Sequence, residues 1–240
     1  MATVAIVSKV EVSHPKAVAP RWHTALLVAL FLSLTLSGAF FQRAAHSQPE
    51  RVLQYPHLVQ LYLSLIAMEW GLFFFVLKGL RRCGTKLRDL IGGRWCSLKE
   101  VAIDAGLAVG LWSVWTIVEK GWDRWLGPAH AASIQTFLPQ KAGEILLWIA
   151  LSVSAGICEE VVFRGYFQKQ FEAFTHNVWI ALLLQAILFG ISHGYQGLEA
   201  CAKIAVFGTL FGLLAHWRKS LRPGMITHAG TDILGGIFGG

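Results

Sequence analysis

Seven stretches of the chain are apolar for 14 to 20 residues and almost free of charge. Ala25–Phe41 runs 17 residues without a charge, Leu58–Leu77 runs 20 broken only by Glu69, and Val101–Val118 runs 18 broken by Asp104. Shorter runs follow at Ile145–Cys158, Val178–Ser192 and Ile204–Trp217. The last extends from Pro223 to the C-terminus and contains His228 and Asp232. Crossing a bilayer takes about 20 apolar residues, with a range of about 17 to 25. The first three runs qualify directly, and the later ones are shortened by polar residues set inside them. The pattern predicts an all-α fold, a polytopic transmembrane helix bundle of about seven spans.

Composition agrees. Of 240 residues, 55% are hydrophobic and 15% charged, against about 25% charged in a soluble domain. We read residues 1–240 as a single integral membrane domain: spans without a motif over 1–142, and a motif-bearing core over 143–240. Lys and Arg are unevenly shared among the connections. One side would hold 15, from the N-terminus, the Lys78–Lys99 loop, Arg164, Lys169, Arg218, Lys219 and Arg222; the other would hold 6. The excess predicts a multi-pass cell-membrane protein with a cytoplasmic N-terminus and an outside C-terminus. The net charge of +7 is then explained by topology and contact with the lipid bilayer, leaving no call for nucleic acid. Trp22, Trp122, Trp125, Trp179 and Trp217 fall near span ends, as interfacial residues do. The polar lead of 24 residues before the first run fits an uncleaved anchor better than a signal peptide cut near Ser37-Gly38-Ala39. The connection Glu119–Gly143 reads as an amphipathic piece on the membrane surface. Four cysteines show no C-x-x-C spacing, and Cys158 reads as a small packing residue.

The informative residues are the polar ones inside the runs. Glu159, Glu160 and Arg164 sit in "GICEEVVFRGYF", and each charge at a helix centre costs about 2.5–3.5 kcal/mol unpaired. Glu160 and Arg164, at i and i+4, share a face with the acid N-terminal, the favourable order for an ion pair. Glu159 points about 100° away on an α-helix and is expected to be a lone carboxylate facing elsewhere. "LFGISHG" puts Phe189 and His193 one turn apart, and "MITHAGTDILGG" puts His228 and Asp232 at i and i+4. If the fourth helix continues past Arg164 to a hairpin near Phe171–Asn177, Glu159 and His193 stand roughly 18 and 24 Å from that turn. They would then lie at similar depth. Glu69 reads as a structural, hydrogen-bonded acid, and Asp104 and Glu199 as solvated residues near span ends.

E-E-x-x-x-R (Glu159, Glu160, Arg164), F-x-x-x-H (Phe189, His193) and H-x-x-x-D (His228, Asp232), in this order and on separate runs, resemble the CAAX protease and bacteriocin-processing family, also called Abi. That family includes the type II CAAX prenyl proteases. The resemblance covers about residues 143–240 and implies an α-helical intramembrane endopeptidase acting on a peptide or membrane-protein substrate. It implies Glu159 as general base, His193 as a group positioning the water, and His228 with residue 232 as oxyanion stabilisers. Glu160, Arg164 and Phe189 would support them. Where the prenyl proteases carry Asn, this chain has Asp232, which either acts in its protonated form or orients His228.

The chemistry stands beside the resemblance. Peptide hydrolysis needs a base for water and donors for the oxyanion. A metal-free, glutamate-based site with no required cofactor is the favoured reading. A zinc site of Glu159, His193 and His228 is the alternative, since two His and one Glu form a known catalytic set, although H-E-x-x-H is absent. A proton-coupled transporter relaying protons through these groups, or a non-catalytic membrane scaffold, are the readings from other classes. The charge bias predicts that reporter fusions at residues 90 and 240 will report opposite sides of the membrane. Equal sidedness would refute the topology.

Overall fold

The computed structural model describes residues 15–47, 58–127 and 137–238. Every apolar run forms a helix over its described residues. The helices are α1 Arg21–Ser47, α2 Leu58–Arg82, the short α3 Leu87–Ile91, α4 Leu98–Leu126 and α5 Ala142–Glu159. Then come a π-helical segment Glu160–Phe167, α6 Gln168–Thr175, α7 Val178–Ser192, a 3₁₀ turn Gly194–Gln196, α8 Leu198–Arg218 and α9 Arg222–Phe238. Among the described residues there is no strand. By length and composition α2, α4, the continuous unit Ala142–Thr175 and α8 can each cross a membrane, and α7 is a shorter apolar helix of 15 residues. The fourth run does not end at its charges: α5, the π segment and α6 are one unbroken 34-residue rod.

Local sequence sets the helix ends. Ser97 caps α4 by accepting from the Glu100 backbone N–H, while the Glu100 carboxylate accepts from the backbone N–H of Cys96, the residue before the cap. Asn177 Oδ1 accepts from Trp179 N and Ile180 N at the start of α7. His176, at φ 52°, turns the chain between α6 and α7, where the hairpin was expected. Of the connection Glu119–Gly143, Trp122, Trp125 and Leu126 continue α4 instead of forming a separate surface piece. Residues 128–136 lie outside the described residues.

Two of the arginines assigned to one side meet a buried acid beside the turn between α8 and α9. Asp104, near the start of α4, is fully buried and accepts from Arg218 Nε at 3.0 Å, pairs with Arg222 Nε at 3.1 Å, and accepts from Trp95 Nε1 at 2.7 Å. This corrects the expectation of a solvated Asp104. The local hydropathy placed it at a span end, but the two arginines flanking the α8–α9 turn fold over it. At the far end of α4, Glu119 and Asp123 each pair with Lys203 of α8 at 3.0 Å. Arg164 is 1% exposed and leaves the connection count, which falls from 15 to 14 against 6 and keeps its sign.

The long rod is the hub. It packs against α2 and α9 along α5 and against α7 along α6. Buried Phe163, Tyr166, Phe167, Phe189, Phe207 and Phe211 form the centre of the core, with Cys158 packed among them as expected. Tyr166 ties three elements together. His23 Nε2 faces the Phe75 carbonyl at 3.0 Å and must donate to it, so its Nδ1 accepts from the Tyr166 hydroxyl at 2.8 Å. Contact between α5 and α9 depends on Gly156: a Cβ there would stand 2.9 Å from Ala229 N and Met225 O. Small residues let helix backbones approach in this way where no hydrophobic drive acts between spans. Gly156→Ala is therefore expected to destabilise the protein by about 1–3 kcal/mol through overpacking. Gly110→Ala, where nothing lies within 4 Å, should be neutral or stabilising. Melting curves in detergent compare the two, and equal melting temperatures would deny the close α5–α9 approach.

Candidate active site

Because Gly156 lets α9 come close, His228 sits directly against the two glutamates at the end of α5. Its ring is 5% exposed. Nδ1 lies 3.1 Å from Glu160 Oε1, and Nε2 lies 3.7 Å from Glu159 Oε2 and 3.6 Å from Asp232 Oδ2. Phe189, Phe207 and Phe211 enclose the ring, with centroids 6.2, 5.5 and 5.9 Å away. One imidazole thus joins three carboxylates in an aromatic box.

Glu159 is accordingly not a lone carboxylate facing elsewhere. Helix winding changes from α to π at the peptide between the two acids. π-type i→i+5 turns are rare and occur mostly at functional sites. Here the loosened winding, with the imidazole placed between the two side chains, lets both acids reach opposite nitrogens of His228. An α-helical phase cannot foresee this, because it assumes a fixed 100° step. Glu159 keeps partial access, with its side chain 23% exposed, whereas that of Glu160 is 1% exposed.

The Glu160–Arg164 pair forms as the spacing predicts. Arg164 Nη1 lies 2.9 Å from Glu160 Oε1, and both side chains are sealed from solvent. The guanidinium stands over the Phe189 ring at 4.2 Å and the Phe211 ring at 5.4 Å, a desolvated cation–π setting of the more stabilising kind. Glu160 Oε2 lies beside Gly224, where a Cβ would stand 3.0 Å from it. Glu160 therefore carries a double load, one oxygen facing both the guanidinium and the imidazole.

His193 caps α7. Its Nδ1 is 2.9 Å from the Phe189 carbonyl, which can only accept, so Nδ1 carries the proton and Nε2 of the neutral ring is the lone-pair nitrogen. Ser192 Oγ donates to the same carbonyl. The Phe189 ring touches both imidazoles, with its centroid 4.9 Å from that of His193. No hydrogen bond or ion pair joins His193 to Glu159, His228 or Asp232 among the described residues. Nor do three or more His, Cys, Asp or Glu side chains there converge as a metal-ligand set. The structure thus gathers Glu159, Glu160, Arg164, His228 and Asp232, and leaves His193 one aromatic ring away.

Three further groups meet this site. Glu69, from α2, is 9% exposed and lies within electrostatic range of Glu159, His228 and Asp232. The Tyr195 hydroxyl lies within electrostatic range of Glu69, Glu159 and Asp232 and accepts from Gln196 Nε2. Trp148 Nε1 donates to the Asp232 carbonyl at 2.9 Å. Spacing carried no signal for them, since Glu69 comes from a span without a motif. Arg164→Ala would strand Glu160 in the bundle, and leaving one buried charge unpaired costs about 3–5 kcal/mol. Lower yield and a lower melting temperature are expected. An unchanged melting temperature would show that this pair does not hold the bundle.

Comparison with known proteins supplies one match. None is found among curated proteins or solved structures. Residues 141–234 match the family model described as Type II CAAX prenyl endopeptidase Rce1-like, a stretch that holds Glu159, Glu160, Arg164, Phe189, His193, His228 and Asp232. The resemblance carried by the three motifs is therefore shown: over residues 141–234 this chain matches the Rce1-like type II CAAX prenyl endopeptidases.

Proposed function

We propose that the protein is an intramembrane endopeptidase of CAAX-protease type, hydrolysing a peptide bond with a water activated by Glu159. The observation that carries this reading is the clasp of His228 between Glu159, Glu160 and Asp232, inside an apolar box and within the stretch that matches the family. Glu159 is the partly accessible acid of the adjacent pair, so it is the one that can meet a water and take its proton. Glu160 is committed to Arg164 and the imidazole. His193, with its lone pair on Nε2, positions the water from the end of α7.

With Nδ1–H donated to Glu160, a second proton on Nε2 makes an imidazolium balanced by the surrounding carboxylates. That N–H faces Glu159 and Asp232, where a carbonyl oxygen would gain charge in the tetrahedral intermediate. Fixed donors in a site shielded from water are an effective stabiliser of such an oxyanion. Asp232 then acts by holding His228, which resolves the conflict of placing an ionised acid against an oxyanion. The family description points to a peptide carrying a prenylated cysteine near its C-terminus as the substrate. The protein would act as a multi-pass cell-membrane enzyme, with its N-terminus cytoplasmic and its C-terminus outside.

The test uses purified protein in liposomes and a quenched peptide ending in farnesyl-cysteine and three further residues, beside an unprenylated copy. Glu159→Gln keeps the shape and removes the base, so cleavage is expected to fall about 10²–10⁴-fold with melting unchanged, and chelators should leave the wild type active. Full-rate cleavage by Glu159→Gln removes Glu159 from the mechanism. Stoichiometric zinc that is lost with His193→Ala, together with inactivation by chelators, would replace the metal-free mechanism with the zinc one. A transporter or scaffold would cleave neither peptide.

A further inference from the structure

Cations folded into this bundle meet carboxylates. Arg164 pairs with Glu160, Lys203 with Glu119 and Asp123, and Arg218 and Arg222 share Asp104. The end of α2 is different. Lys78, Arg81 and Arg82 are all exposed, and none of them pairs with a carboxylate among the described residues. Together with Phe74 and Leu77 they line a shallow cleft of about 520 Å³. The five residues follow i, i+3, i+4, i+7, i+8 spacing, so they form one stripe along the helix.

The stripe is ordered along the helix axis. Phe74, 60% exposed, and Leu77 come first, and the cations come last. Phe74 and Arg81 stand seven residues apart, roughly 10 Å of helix rise. The Arg82 guanidinium lies 5.1 Å from the Trp22 ring centroid, which holds one cation at the rim. Indole rings of this kind lie at the depth of lipid headgroups. Behind the stripe, Gly79 lies flat against the His23 ring, whose Nε2 is bonded to the Phe75 carbonyl at 3.0 Å. The cleft therefore has a fixed back wall.

A cation at a helix C-terminus is favourable in itself. Three are not explained that way, because Lys78 faces Arg81 at i+3 and Arg82 at i+4, and like charges at these spacings repel. Their convergence on one cleft without an acid calls for an anion from outside the chain. The apolar residues at the other end of the same cleft call for a hydrocarbon chain. A glycerophospholipid carries both, in this order. We propose that the end of α2 binds an anionic glycerophospholipid, with one acyl chain along Phe74 and Leu77 and the headgroup phosphate held by Lys78, Arg81 and Arg82. Arg81 and Arg82 can each present two N–H donors to phosphate oxygens, and Lys78 adds a point charge. Three cations without an acid favour a headgroup with two phosphates over a headgroup with one. The site would stand whether or not the chain cuts peptides.

The test titrates cardiolipin, phosphatidylglycerol or phosphatidylcholine into the full chain, purified in a neutral detergent, and counts bound lipid by native mass spectrometry. One cardiolipin per chain is expected, with phosphatidylglycerol held more weakly and phosphatidylcholine not retained. Basic residues beside an anionic headgroup each contribute about fivefold in affinity. Lys78→Gln, Arg81→Gln and Arg82→Gln combined should therefore weaken cardiolipin binding about 10²-fold. A control combining Lys16→Gln, Lys86→Gln and Arg94→Gln removes three exposed cations outside the cleft, and it should bind as the wild type does. Equal weakening by the two triple variants would show diffuse attraction and overturn the site, as would equal retention of phosphatidylcholine. Displacement of the lipid by inorganic phosphate or by chain-free glycerophosphoglycerol would reduce the cleft to an anion site and overturn the lipid assignment. A wild-type dimer that retains no lipid and is broken by the cleft variant would give the cleft to a second copy instead. Should the triple variant not accumulate, Lys78→Gln with Arg81→Gln leaves Arg82 on Trp22 and is expected to bind about 25-fold more weakly; unchanged binding there overturns the site as well.

Discussion

A carboxylate shared between a guanidinium and an imidazole is the interaction on which the rest of this bundle turns. Glu160 Oε1 faces Arg164 at 2.9 Å and His228 at 3.1 Å, in a bundle where water cannot repair a mispaired charge. The pair neutralises the two most buried ions of the rod, and its acid holds one nitrogen of His228. The other nitrogen is thereby set toward Glu159 and Asp232. Structural and chemical roles divide between adjacent glutamates on this basis: the sealed one organises, and the partly open one is available for chemistry. Such a division needs α5 and α9 nearly in backbone contact, which is what Gly156 allows.

Much of this was legible before any coordinates. Apolar runs fix helices in a bilayer because no other backbone form except a closed barrel satisfies its own hydrogen bonds there, and all seven runs are helical over their described residues. The i, i+4 spacing of Glu160 and Arg164, and that of His228 and Asp232, located two of the contacts. Illegible features were those set by tertiary packing. Asp104 sits near a run boundary and looked solvated, yet Arg218 and Arg222 close over it from more than a hundred residues away in the chain. Glu159 was assigned the wrong direction because the sequence does not announce a π turn. The depth arithmetic that brought His193 level with Glu159 spoke to height alone and could not place the Phe189 ring beside both imidazoles.

The site also crosses the division that the motifs suggest. The family match begins at residue 141, yet α2 contributes Glu69. α1 reaches the π segment through His23 and Thr24 on Tyr166. The spans without a motif therefore pack directly on the rod that carries the site's glutamates.

The π segment has a consequence for how the gene can vary in length. Past it, Gln168 donates to the Gly212 carbonyl, and Gln170 bonds both Val18 N and Ala19 O. These bonds hold in one rotational phase of the rod, the phase reached by passing through eight π-wound residues. Losing a single codon between Val161 and Phe163 would leave one residue too few for that π winding, so Glu159 and the residues from Arg164 to Thr175 could no longer all keep the positions they hold here. A deletion that a loop would absorb is here registered at both ends of the rod, in the buried ion pair and in the bonds that seat α8 and the segment before α1. The rod behaves as a cam, and its length in residues is fixed as firmly as the identities of its acids.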